Sequence, residues 1–162
     1  QIESQPARAR SSAGQPASGR TTRLPDVALP ILKAMERLHP GKHFRLAVGG
    51  CSGTALPVDP VDYAELLSIL LDNAGKWASA EVVLAFTCAA DGAITATISD
   101  DGPGIPAPEL ARVFDLGVRL DPAVPGSGLG LAIARDLAAT LGLRLDLANR
   151  AQGLVAEVRF TP

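Results

Sequence analysis

Aromatic residues are scarce in this chain: Phe, Trp and Tyr make up 4% of its 162 residues, with a single Trp and a single Tyr. A core must therefore be assembled from Ala, Val, Ile and Leu, which the 47% hydrophobic content can supply. No apolar run approaches the roughly 18–20 residues of a membrane span and no signal-peptide pattern is visible, so no membrane contact is expected of this chain. An excess of one charge is missing too. Fifteen basic residues face 17 acidic ones, a net charge of −2, which leaves no electrostatic footprint for nucleic acid. Only two cysteines occur, Cys51 and Cys88, without metal-ligand spacing, and free buried thiols in a reducing compartment are the expected state. The length fits one domain of ordinary size. The chain begins at Gln1 rather than Met and is expected to be a piece of a longer protein.

Residues 1–24 read as a linker or as the tail of a preceding helix. Ser11 to Arg23 holds no hydrophobic residue larger than Ala and is rich in Ser, Gly, Pro and Arg, too little to offset its ordering entropy. Residues 25–162 then form the domain. Ile31, Leu32, Met35 and Leu38 follow helical spacing, and Pro40-Gly41 stops that helix. His43 to Val48 alternates as a strand. Pro60 to Ala78 is the strongest helical pattern in the chain. Glu81 to Ala89 and Ala93 to Ser99 are strands joined by the hairpin dipeptide Asp91-Gly92. A short helix is predicted at Pro108 to Val113, a longer one at Gly128 to Leu141, and strands at Leu143 to Ala148 and Leu154 to Phe160. Helices interspersed with hairpin-linked strands define an α/β fold, a two-layer α/β sandwich with a mixed sheet and about three helices on one face.

Three segments carry chemistry. In DYAELLSILLDNAGKWA, Tyr63, Leu66, Leu67, Leu70, Leu71, Ala74 and Ala78 share an apolar face, while Asp62, Glu65, Ile69, Asn73 and Lys76 fall on a separate arc. An amide oxygen one turn before an ammonium can hold a hard cation beside a phosphate; magnesium keeps several waters and can use a single protein ligand. An ordinary amphipathic helix with a solvated face is the plainer reading, though the apolar Ile69 on the polar arc suits a lined cleft better. Trp77 lies at the edge between the two faces, where indole can pack and border a ligand at once. The second segment, SDDGPGIP, follows a strand. Asp100 there can accept a hydrogen bond from an exocyclic amine, and Gly102 and Gly104 allow close approach. In the third, PGSGLGLAIARDLA, Gly126, Gly128 and Gly130 open a helix whose free N–H groups favour an anion. A dinucleotide-binding turn is the alternative, but it would follow the first strand, not a long irregular stretch late in the chain.

In this order the three segments resemble the GHKL ATP-binding superfamily, specifically its histidine-kinase branch, from about Leu24 to Phe160. LLDNAGKW, DDGPGIP, VFDLGVR and GLGLAIAR look most like the PhoQ type of sensor kinase. The resemblance implies ATP and Mg2+ as cofactors, with Asn73 ligating magnesium and Lys76 contacting the phosphates as the catalytic pair. Trp77 would flank the nucleotide. Asp100 would accept from the adenine amino group, with Gly102, Gly104 and Ile105 shaping its pocket. Phe114 and the segment to Pro125 would form a lid that Gly126, Ser127, Gly128, Leu129, Gly130 and Leu131 close over the phosphates. It also implies a cytoplasmic domain of an inner-membrane, homodimeric sensor. Its partners would be its own dimerisation domain, which carries the phosphoaccepting histidine, and a response regulator.

The sequence departs from the family in four places. Ile69 stands where many relatives have a second Asn, one turn before the metal ligand. The lid carries only Arg119 as a basic residue. Leu154 follows Gly153 where a Thr is frequent. The phosphoacceptor signature of His, acid and Pro is missing, so His39 and His43 read as structural or surface residues, and a fragment without its phosphoacceptor domain is expected to be inactive. A degenerate GHKL domain serving as a nucleotide-binding or regulatory interaction module is the alternative function. A hydrolytic ATPase of the gyrase or Hsp90 kind would need a Glu at the place Ile69 holds, and an anti-sigma serine kinase shares the fold.

Overall fold

The computed structural model describes residues 20–114 and 130–162. Five strands form the main sheet in the order β2-β4-β5-β7-β6: His43–Ala47 (β2), Glu81–Cys88 (β4), Ile94–Asp100 (β5), Leu154–Phe160 (β7) and Arg144–Asn149 (β6). The β2–β4 pair is parallel and the other three are antiparallel, so the sheet is mixed. The helices α1 (Leu24–Leu38), α2 (Pro60–Trp77) and α4 (Gly130–Thr140) cover it, with α2 lying between the other two. A single turn, α3 (Ala107–Leu110), follows β5. The expected two-layer sandwich with a mixed sheet is the observed architecture.

Period-two burial decides which strand residues meet the helices. Val82, Leu84 and Phe86 on β4, and Ile94, Ala96, Ile98 and Asp100 on β5, all point into the core. The opposite face carries half-buried Thr95, Thr97 and Ser99. All seven residues of the predicted apolar face are buried, six on α2 and Ala78 at its C-cap. Asp59 caps this helix by accepting from the Asp62 amide at 3.1 Å, and Pro60 occupies its first turn, where no intrahelical donor is needed.

Three expectations change at the periphery. Helix α1 begins at Leu24, which is fully buried, and the preceding Thr22–Arg23 (β1) pairs with Ala55–Leu56 (β3). The buried Thr22 hydroxyl donates to the Val58 carbonyl at 2.9 Å, so ordered structure reaches into the stretch read as linker. Residues 1–19 lie outside the described residues. Leu38 is 63% exposed; the buried stripe of α1 is instead Leu24, Ala28, Leu32 and Met35. Cys51 and Cys88 are not free thiols but a disulfide, with Cα atoms 5.7 Å apart. The parallel pairing explains this correction. Ala47 aligns with Ala85, so the 3-10 turn Gly49–Cys51 just beyond β2 comes beside the end of β4. Closing a loop with a sequence separation of 37 restricts the unfolded chain. Reduction is therefore expected to lower stability by about 2–3 kcal/mol in urea unfolding. Cys88→Ser should show the same loss and no further response to reductant.

Candidate functional site

The inward row of β5 ends on a carboxylate. Asp100 is 4% exposed, continuing the positions of Ile94, Ala96 and Ile98, but at the sheet's open end beyond the last core hydrophobic. Its Oδ1 accepts from the Gly102 amide at 2.8 Å. Loss of solvent raises its pKa above the ordinary carboxylate range; the Gly102 and Leu154 amides and Arg150 pull it back, while neighbouring Asp101 pushes it up. A buried, amide-held carboxylate at a strand end is suited to recognising a ligand donor.

The loop after Asp100 is braced on three sides. Gly102 lies under the C-terminus of α2: a Cβ there would come within 2.1 Å of the Trp77 carbonyl oxygen. This contact joins the loop to the helix bearing Asn73, Lys76 and the half-buried Trp77. The Asp101 carboxylate accepts from the Ser79, Ala80 and Glu81 amides at 2.8, 2.9 and 3.1 Å, closing the α2–β4 connection. From the other side, Gln152 Nε2 donates to the Asp101 and Gly102 carbonyls at 3.0 and 3.3 Å, and Asn149 pairs with Ile105. Asp101, Asn149 and Gln152 were not singled out in the sequence. Asp101 could have been, as the second acid of the SDDGPGIP segment.

The amide hydrogen bonds, that of Ala80 foremost, hold the Asp101 carboxyl below its ordinary range. A depressed folded-state pKa means that the unfolded chain binds the proton more readily. Stability gained above the ordinary carboxylate range is then lost as pH falls toward the lowered value. Asp101→Ala is expected to be less stable than the parent at neutral pH and to converge on it in acid, as read from melting curves across pH.

Asn73 and Lys76 sit half-buried on α2, one turn apart. Lys76 Nζ lies 3.3 Å from Asp72 Oδ2, and the other oxygen of Asp72 meets His39 Nε2 at 2.8 Å. The His39 ring rests on Gly75, where a Cβ would come within 2.6 Å of it. His39 is thus part of the α1–α2 packing, and His43 is exposed on β2. Ile69 packs against the core, and its Cγ2 would be 3.6 Å from a Cβ at Gly130, the first residue of α4. Its apolar character on the polar arc follows from this contact between helices. Ile105, Val113 and Leu154 form a second small core, with Leu110, Phe114, Leu131 and Leu147 packed on it. The Arg135 guanidinium stands 5.5 Å from the centre of the Phe114 ring. Asp100, Gly102, Gly104 and Ile105 are therefore continuous with Trp77 on one side and with Phe114 and Leu131 on the other. Gly126, Ser127, Gly128 and Leu129 lie outside the described residues.

This combination of a mixed sheet, a helix carrying Asn and Lys, and an Asp-Gly loop wedged under that helix defines an ATPase-type nucleotide fold. Residues 58–162 match the family described as histidine kinase-, DNA gyrase B- and HSP90-like ATPase, and the chain belongs to it. Within it, similar proteins include sensor kinases. Sensor protein kinase CarS of Pseudomonas aeruginosa is 42% identical over 125 residues, 77% of this chain and 28% of that protein. The virulence sensor histidine kinase PhoQ of Salmonella typhimurium is 31% identical over 107 residues, 66% of this chain and 22% of that one. The chain thus spans about a quarter of the length of these curated relatives. Among solved structures, the mycobacterial sensor histidine kinase MprB superposes with a TM-score of 0.76 at 25% identity, covering 87% of this chain and 97% of that one. Full-length ShkA in complex with AMPPNP shares the fold, with a TM-score of 0.73 at 23% identity over 92% of this chain and 32% of that one. No helix among the described residues is long and apolar enough to cross a membrane.

Proposed function

We propose that the chain is the ATP-binding catalytic domain of a two-component sensor histidine kinase, which positions Mg-ATP for phosphoryl transfer to a histidine on a separate dimerisation domain. The observation that carries this reading is Asp100, the one buried carboxylate among the described residues, set at the end of the core row and beside the braced glycine loop. Asp100 accepts from the adenine amino group; Gly102, Gly104 and Ile105 wall the base, and Trp77 borders it. Asn73 offers an amide oxygen, the hard donor magnesium takes, and Lys76 an ammonium for the phosphates one turn later. The bound ion would supply charge neutralisation at the phosphates. Phe114, Gly130 and Leu131 make up the lid side.

In the transfer, an imidazole nitrogen bonds to the γ-phosphorus as the bond to the β–γ bridging oxygen breaks, and ADP leaves. The imidazole lone pair attacks directly, so no general base is required of this domain; its contribution is positioning and electrostatics. The phosphoryl group then passes to an aspartate of a response regulator. Homodimerisation and attachment to an inner membrane on the cytoplasmic side belong to the longer protein under this reading.

A second reading, a regulatory module with weak nucleotide binding, draws support from Ile69. Packed toward Gly130, Ile69 offers no second oxygen ligand one turn before Asn73. Calorimetry with ATP, with and without magnesium, separates the two. Saturable, magnesium-strengthened binding is expected, together with labelling from radioactive ATP of a supplied dimerisation domain but not of the chain itself. Absence of nucleotide binding would favour the module, and stable label on His39 or His43 would contradict the proposed division of labour.

A further inference from the structure

Ile105 lies in an irregular segment without ladder hydrogen bonds, yet both of its backbone polar groups are engaged by one side chain 44 residues away. Asn149, the last residue of β6, accepts from the Ile105 amide through Oδ1 at 2.9 Å and donates Nδ2 to the Ile105 carbonyl at 2.6 Å. The same Oδ1 lies so close to Gly104, which has φ of +78°, that a Cβ there would be 2.6 Å from it. A carboxamide is the side-chain group that offers an acceptor and a donor side by side at this reach. Asp matches its shape but places an oxygen against the Ile105 carbonyl, and Ser is too short to reach both groups.

We infer that Asn149 is a positioning residue for nucleotide binding. Its amide fixes Ile105 and Gly104, and through them the wall of the loop beside Asp100. The inference rests on the reading of that loop as the adenine wall. A general stabilising role fits the geometry less well. The core beneath the loop is small, built on Ile105, Val113 and Leu154, and Leu131 and Leu147 are the residues packed on both it and the main one. Losing the clamp should therefore loosen the loop locally and leave the sheet and α2 intact.

The test titrates ATP and ADP, each with magnesium, into the parent, Asn149→Ala, Asn149→Asp and Asp100→Asn, well below their melting temperatures, and follows hydrogen exchange of the Ile105 amide. Asn149→Ala is expected to lose about tenfold in affinity, the value of two neutral hydrogen bonds, and Asn149→Asp a similar factor, because it keeps the bond to the Ile105 amide but sets a carboxylate oxygen against the Ile105 carbonyl. The loss should be equal for ATP and ADP because the clamp acts at the base end, and exchange at Ile105 should quicken in Asn149→Ala, which removes the acceptor of that amide. An affinity within twofold of the parent, whatever the melting temperature does, would overturn the inference and leave Asn149 a structural residue. A loss for ATP alone would overturn it too, by placing the effect at the phosphates. Asp100→Asn separates this failure from that of the underlying reading. If it weakens binding while the Asn149 variants do not, only the clamp has failed; if it binds as the parent does, the adenine wall is elsewhere and both fall. Should Asn149→Ala not fold, the isosteric Asn149→Asp decides alone.

Discussion

Asp100→Asn is expected to weaken ATP binding by about 10- to 100-fold, the value of a charge-assisted hydrogen bond together with a mispaired adenine amine. The fold should survive. Asn can still accept from the Gly102 amide, and removing a desolvated charge offsets the poorer match to the second amide at Leu154. The pH dependence gives an independent check. Burial raises the Asp100 carboxyl, so the native state holds its proton where the unfolded chain has released it. The nucleotide-free parent should lose stability as pH rises from the ordinary carboxylate range through the raised value. Over the same window its ATP affinity should rise, because the ionised form is the better acceptor. Asp100→Asn should show neither trend from this residue. Calorimetry at several pH values, with melting curves on the same samples, measures both. Equal affinities for mutant and parent would remove Asp100 from the site.

How much of this was legible in the sequence follows from the range over which each feature is encoded. The α2 face and the β4–β5 hairpin are local, fixed by a period and a turn dipeptide, and they lie where the residues placed them. The burial of Asp100 obeys the same local period, because the residue is in phase with Ile94, Ala96 and Ile98. The features that escaped are set by pairing between distant segments. Asn149 and Gln152 end and follow an edge strand, and nothing near them in the chain shows that a loop some 50 residues earlier will lie against them. The Cys51–Cys88 bond depends on β2 and β4 being parallel, which periodicity does not encode. Leu38 continued the apolar spacing of α1 by one turn more than the neighbouring structure covers. Ile69 was seen as out of place on its arc; its explanation, the start of α4, comes from tertiary packing.

Gly153→Ala should be the most damaging single substitution predicted here, with a loss of about 4 kcal/mol or more, and a suitable control exists within the same chain. Gly153 has φ of +95° at the entry to β7, and a Cβ there would come within 1.9 Å of the Asp100 carbonyl oxygen and 2.7 Å of its carbon. Both partners are backbone. The Asp100 side cannot retreat without breaking the β5–β7 pairing at Ser99 and Val155, and the Gly153 side is tied by its carbonyl to the Arg150 amide at 3.0 Å. Gly92 has nearly the same backbone conformation, φ of +92°, in the exposed β4–β5 turn, but a Cβ there meets only the Pro162 ring at 3.0 Å, close to the chain end. Gly92→Ala therefore reports the conformational strain with little collision, about 1 kcal/mol. Urea unfolding of both variants gives the difference directly. ADP titration of whatever Gly153→Ala remains folded should show nucleotide binding lost as well, because the displaced atom is the backbone of Asp100 itself. Equal losses for the two glycines would mean that the close approach contributes nothing, and that the loop beside Asp100 yields more easily than its contacts imply.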